Sequence, residues 1–202
     1  LFPDLHGIWS QGSSVWVVGE EGTILHSTDG GETWGRVASG TDRELRAVFG
    51  TADGLRLWAV GSKGRVALST PDGGKTWQSK FTGTADDLYA IGGATDGSKL
   101  WAVGAGGVVQ RSLNGGQAWE RRPSGTEKVL YSLFSTADGS EAWAVGEGGV
   151  IASLTGGYLW SGGAERKTEA GLSLSETPLH SIYGTADGAE LWVVGKKKTD
   201  GP

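Results

Sequence analysis

The chain has 202 residues, enough for one large domain or two small ones, and a net charge of −5 with both signs mixed along its length. That balance has no basic patch for nucleic acid, the absence of Cys excludes disulfides and Cys-ligated zinc, and no apolar run approaches the ~20 residues of a membrane-spanning helix. The 37 Gly carry no period of three and alternate with apolar residues and ten Trp, so the bias reads as tight turns between short strands. The sequence begins at Leu1 and has no Met and no signal peptide. It is expected to be a mature form, a trimmed form or a fragment.

The first strand-like stretch is Leu5-His6-Gly7-Ile8-Trp9, and it recurs as Leu45-Arg46-Ala47-Val48-Phe49, Leu88-Tyr89-Ala90-Ile91-Gly92, Leu130-Tyr131-Ser132-Leu133-Phe134 and Leu179-His180-Ser181-Ile182-Tyr183. Next comes Trp-(Ala/Val)-Val-Gly, starting at Trp16, Trp58, Trp101, Trp143 and Trp192. A Gly-x-x-Gly turn follows in the first four repeats, then a β-branched stretch such as Thr23-Ile24-Leu25, then a closing Trp at 34, 77, 119 and 160. The opening Leu positions are 40, 43, 42 and 49 residues apart. Repeats of ~40–50 residues with four short strands each are the mark of a β-propeller.

The expected fold is therefore all-β: a β-propeller of four-stranded antiparallel blades, four complete and half of a fifth, in one domain over 1–202. The repeats run approximately 5–44, 45–87, 88–129, 130–178 and, in part, 179–195. Strand A holds the opening Leu, strand B the central Trp, strand C the β-branched stretch and strand D the closing Trp. No segment sustains a 3.6-residue period, so almost no helix is expected. Large residues on strands A, B and D are expected to fill the layers between blades, since one blade cannot bury both its faces alone. The connection from the fourth closing Trp is eight residues longer than the others and includes Arg166 and Lys167. The half-blade leaves an unpaired edge, which a further segment of the protein or another chain is expected to cover.

The C–D turns read Ser27-Thr28-Asp29-Gly30-Gly31-Glu32-Thr33-Trp34 and Thr70-Pro71-Asp72-Gly73-Gly74-Lys75-Thr76-Trp77, then two looser versions ending at Trp119 and Trp160. They resemble the Asp-box, Ser-x-Asp-x-Gly-x-Thr-Trp, of the bacterial neuraminidase (BNR) repeat. With the Trp-Ala-Val-Gly strand, the chain resembles the propellers of the photosystem II stability and assembly factor family over nearly its whole length. The box is expected to be structural: Asp29 and Asp72 accept hydrogen bonds inside their own turns, next to Ser27, Thr33, Thr70 and Thr76, while Gly31 and Gly74 permit the turn and Trp34 and Trp77 wedge between blades. The resemblance also favours an extracytoplasmic location.

No catalytic constellation emerges. The arginines fall at different points of the repeat, no acidic residue recurs beside Tyr89, Tyr131 and Tyr183, and His6, His26 and His180 lack metal-ligand spacing. No cofactor and no metal is implied. The reading is a non-catalytic module that binds a protein, with a carbohydrate-binding or sialidase-like glycan-processing propeller as the alternative.

In a four-stranded meander the A–B and C–D turns share one end, and the B–C turns and D–A connections share the other. The first end repeats Thr-Ala-Asp-Gly and Asp-box turns because the fold needs them. The second varies from repeat to repeat, as a recognition surface does. It carries Asp42, Arg43 and Glu44, then Asp86 and Asp87, then Glu127 and Lys128, then Arg166 and Lys167. The residue after each opening Leu lies near the same end: His6, Arg46, Tyr89, Tyr131 and His180. These five are expected to ring the mouth of the central channel, with Arg46, Tyr89 and Tyr131 at the centre of the docking surface.

Overall fold

The computed structural model describes residues 3–69, 72–155, 159–160 and 177–195. Thr70 of the second Asp-box turn, and Arg166 and Lys167 of the long connection, lie outside the described residues. The fold is all-β. The first sheet contains β1 (Leu5–Gln11), β2 (Ser14–Gly19), β3 (Ile24–Ser27) and β4 (Gly35–Val37). The second contains β5 (Leu45–Gly50), β6 (Leu57–Gly61), β7 (Arg65–Ser69) and β8 (Trp77–Phe81). The third contains β9 (Leu88–Gly93), β10 (Leu100–Gly104), β11 (Val109–Ser112) and β12 (Glu120–Arg122). The fourth contains β13 (Leu130–Ser135), β14 (Ala142–Gly146), β15 (Ile151–Ser153) and β16 (Leu159–Trp160). Among the described residues the two strands β17 (Leu179–Gly184) and β18 (Leu191–Gly195) form a two-stranded sheet. Within each sheet the strands follow sequence order and are antiparallel.

The meander puts the turns at the two ends that the sequence pattern assigns. At one end the A–B and C–D turns bond to each other, Gly30 N–H to Ser13 O at 2.9 Å and Gly73 N–H to Leu55 O at 3.2 Å. At the other end the Gly-x-x-Gly stretches bond to the start of strand A, as Glu20 N–H does to Asp4 O and Ser62 N–H to Glu44 O. These B–C turns are single 3-10 turns, Glu20–Gly22, Ser62–Gly64, Ala105–Gly107 and Glu147–Gly149, and they are the helical content of the described residues. The β-branched stretch begins as strand one residue late, at Ile24, because Thr23 closes the turn with an N–H bond to Glu20 O.

The core is a series of layers between successive sheets. Trp16 and Val18 of the first sheet pack with Leu45, Val48, Leu57, Ala59 and Trp77 of the second. Trp58 and Val60 pack in the same way with Leu88, Ile91, Leu100 and Ala102, and Trp101 and Val103 with Leu130, Ala142 and Ala144. A fourth layer joins Val145 to Leu179 and Ile182. Trp16, Trp58 and Trp101 are at most 1% exposed. One register position on strand B therefore supplies the largest side chain of each of the first three layers.

The closing Trp behaves differently from one sheet to the next. Trp77 and Trp160 lie inside strand D, whereas Trp34 and Trp119 precede β4 and β12. Trp34, Trp77 and Trp119 each fold back on their own turn, with the indole N–H donating to the carbonyl of Gly31, Gly74 or Gly116. Trp77 is buried against Trp16, Trp119 is half-buried, and Trp34 is 43% exposed. The wedge expected of Trp34 needs a preceding sheet, and among the described residues none faces the first sheet.

Candidate functional site

The site is built by an irregularity repeated in every strand A. In β1, Leu5 lies opposite Gly19 and Gly7 opposite Val18, so His6 is an extra residue without a partner in the ladder. The same skip leaves out Arg46, Tyr89, Tyr131 and His180. A bulge of this kind re-aims a side chain out of the pleat. The five residues expected to ring one end of the repeat array are thus the five that the backbone turns out of its sheets.

They form a continuous row across sheet boundaries. His6 Nε2 lies 3.2 Å from Glu44 Oε1. Glu44 Oε2 accepts from Arg46 Nη2 at 2.8 Å, and the same nitrogen is 3.2 Å from Asp87 Oδ2. The Arg46 guanidinium lies over the Tyr89 ring, 4.6 Å from its centroid. Tyr89 meets Tyr131 edge-on at 6.2 Å, and Tyr131 meets His180 at 5.8 Å. Arg46, Tyr89 and Tyr131 are half-buried, while His6 and His180 at the ends are exposed. Burial works against the Arg46 charge, but the hydrogen bond to Glu44 and the attraction of Glu44, Tyr89 and Asp87 together outweigh it and raise the guanidinium pKa.

The row has two halves of different chemistry. Around Arg46 the cation is matched by Glu44 and Asp87. From Tyr89 to His180 it is aromatic. Half-buried rings with an Arg stacked at one end offer large, rigid contact area at low entropic cost.

The other expected residues fall into lesser roles. Asp42 and Arg43 pair at 3.6 Å on the rim and, with Gly40, Thr41 and Ser79, line a shallow polar depression away from the rings. Asp86 is tied into its own turn by the Thr84 hydroxyl at 2.7 Å. Glu127 is exposed, and Lys128 sits 3.9 Å from Glu147. Asp87 belongs to the row and also accepts the backbone N–H of Lys63 at 3.0 Å. Glu44, which links His6 to Arg46, is one of the charges that the sequence pattern places at this end, though not one of its binding candidates. Its only signal is its place one residue before an opening Leu, where Asp87 also stands.

At the opposite end the Asp carboxylates work inside their own turns. Asp29 accepts the Ser27 hydroxyl at 2.6 Å and the Thr33 N–H at 2.9 Å. Asp72 accepts from Lys75 N–H and from the Thr76 hydroxyl. Asn114 fills the same place in the third turn, accepting from Ala118 N–H at 2.8 Å. His26 is a sheet residue stacked on Trp16, with ring centroids 3.7 Å apart, and burial lowers its pKa.

The fold defines an all-β protein of propeller-like, antiparallel sheets. Among solved structures it is similar to YCF48 bound to D1 peptide, with a TM-score of 0.66 and 22% identity, covering 96% of this chain and 61% of that one. It is similar also to YCF48 from Cyanidioschyzon merolae, with a TM-score of 0.66 and 17% identity, covering 98% of this chain and 68% of that one. Both are β-propellers, and at these identities the likeness is one of fold. The chain thus spans about three fifths of the length of the first of these structures. No family description and no curated protein matches the sequence.

Proposed function

We propose that this chain is a non-catalytic binding propeller whose sheets are its blades, and that it docks a protein segment on the end formed by the B–C turns and D–A connections. The observation that carries the reading is the row from His6 to His180: five bulge residues, one per sheet, joined into one surface. Arg46, Tyr89 and Tyr131 are its centre. The fold neighbour bound to a D1 peptide shows that a propeller of this shape takes a peptide ligand, which supports a protein partner here. The carbohydrate reading has no comparable support.

The test is a peptide library selected on the folded protein, followed by titration of the selected peptide against variants. Arg46→Ala, Tyr89→Ala and Tyr131→Ala are each expected to cost about 2 kcal/mol of binding, or about 30-fold in affinity, as hot-spot truncations do. Leu113→Ala, on the opposite end and 57% exposed, should leave affinity unchanged. The reverse pattern overturns the assignment of the face.

A further inference from the structure

Arg46 stands in the middle of the row, but its charge is satisfied inside the molecule. Glu44 and Asp87 hold the same nitrogen, at 2.8 and 3.2 Å, the guanidinium lies over the Tyr89 ring, and Nε is buried. An anionic group arriving there would compete with two carboxylates already in place. The strip beside Tyr89 and Tyr131 is acidic instead. Glu44 and Asp87 exceed Arg46 by one negative charge, and Asp86 and Glu127 stand in the connections that lead into β9 and β13. Lys63, whose N–H meets Asp87, answers one of these charges, and Lys128 is matched by Glu147 at 3.9 Å.

The row also has a step. Tyr89, Tyr131 and His180 follow one another at 6.2 and 5.8 Å. Alternate residues of an extended chain are about 6.4–6.8 Å apart, and closer where the chain twists, so the side chains along one side of it keep pace with the row. A helix has a similar step at every fourth residue, but its backbone groups are bonded internally. Here the hydroxyls of Tyr89 and Tyr131 and the ring nitrogens of His180 have no hydrogen-bond partner among the described residues. Each can donate or accept, and an extended segment brings N–H and C=O groups that need such partners.

Resting on the reading that this end docks a protein segment, we propose that the segment is extended and basic, with Lys or Arg at alternate positions. The aliphatic stems of those residues lie along the tyrosine rings and their charges reach the carboxylates beside the row. The backbone between them bonds to the phenol hydroxyls.

The test is fluorescence anisotropy on the whole chain at neutral pH, with two labelled peptides of one composition. One alternates Lys with Thr, and the other carries the same lysines in a single block. The alternating peptide is expected to bind about tenfold more tightly than the block. It should lose about tenfold in Tyr131→Ala, as at a hot spot. Glu127→Lys and Glu32→Lys change the net charge equally, both at exposed positions, the first beside the row and the second at the opposite end. Only the first should weaken binding, by about fivefold. Equal affinity for the two peptides, or equal losses in the two charge variants, overturns the proposal, because attraction to overall negative charge then accounts for the binding. So does tighter binding of an alternating peptide with Glu in place of Lys. If the lysine peptides fail while a library yields an uncharged or acidic segment that needs Tyr89 and Tyr131, the basic segment is wrong and the docking end stands. If no selected peptide needs those two residues, both fall.

Discussion

The Asp carboxylates at the A–B and C–D end show how much a side chain can do without touching another element. The Ser27 hydroxyl, then the Thr33 hydroxyl and N–H, hold the Asp29 carboxyl well below the usual carboxylate range. Asp138 is held as low by the Ser140 N–H, with the hydroxyls of Thr136 and Ser140 adding to it. A depressed folded-state pKa contributes stability that is fully present above the unfolded value and is lost as pH falls through the folded one. The thermal midpoint should therefore stay level down to the ordinary carboxylate range, near pH 4, and decline below it. In Asp29→Asn and Asp138→Asn the midpoint should be lower at neutral pH, and the gap to wild type should close on acidification. Melting curves from neutral pH to about pH 2 check this, and a gap that is constant with pH would show that the charge plays no part. The turn chemistry was legible in the sequence because Ser, Asp, Gly and Thr act locally, at fixed offsets. The Glu44 bridge was not, because it joins His6 to Arg46 across two sheets and no spacing along the chain announces it.

Strand A shows what element-level pattern reading gains and loses. The Leu and Trp landmarks place every strand correctly to within a residue or two, since alternation and turn residues are local signals. The bulge after each opening Leu leaves no such signal: it arises from how strand A pairs with strand B. Its cause is visible at the end of strand B. There a Gly packs so tightly on the preceding backbone that a Cβ on Gly104 would lie 1.9 Å from Asp87 O, and one on Gly61 1.8 Å from Glu44 O. Two residues on, Gly106 has φ +59 but open space around it, and its counterparts Glu21 and Lys63 carry side chains at φ 53 and 55. Two glycines of one turn should thus respond in opposite ways. Gly106→Ala should cost no more than about 1–2 kcal/mol, the price of a left-handed conformation. Gly104→Ala should cost more than about 4 kcal/mol, because a backbone carbonyl has to move and the bulge that turns out Tyr89 moves with it. Denaturant unfolding of the two variants measures the difference, and equal losses would mean that the close approach does not constrain the strand.

At the scale of the whole molecule, stability is a sum over joints between neighbouring sheets, as in other repeat architectures. The A–B turns make this explicit. Ala52 N–H donates to Thr95 O, Thr95 N–H to Ala137 O and Ala137 N–H to Ala186 O, each at 2.8 Å, so each turn is bonded to its neighbour's. In such an array the same residue at the same register has a value set only by whether a next sheet covers it. Trp101 and Trp192 make the comparison clean. Both stand at the central position of strand B, opposite the fifth residue of the strand A pattern, Gly92 and Tyr183. Trp101 is 1% exposed and bonded into the following sheet, whereas Trp192 is 49% exposed and its ring stacks with Tyr183 at 5.9 Å. Trp101→Ala should cost roughly 3–5 kcal/mol, as a truncation of a buried aromatic ring does. Trp192→Ala should fall within about 0.5 kcal/mol of wild type. The measurement is chemical denaturation followed by far-ultraviolet circular dichroism. A Trp192 variant that stays within that range of wild type supports the additive account. If it is as damaging as the Trp101 variant, stability is not carried by nearest-neighbour joints, and the additive account of this array fails.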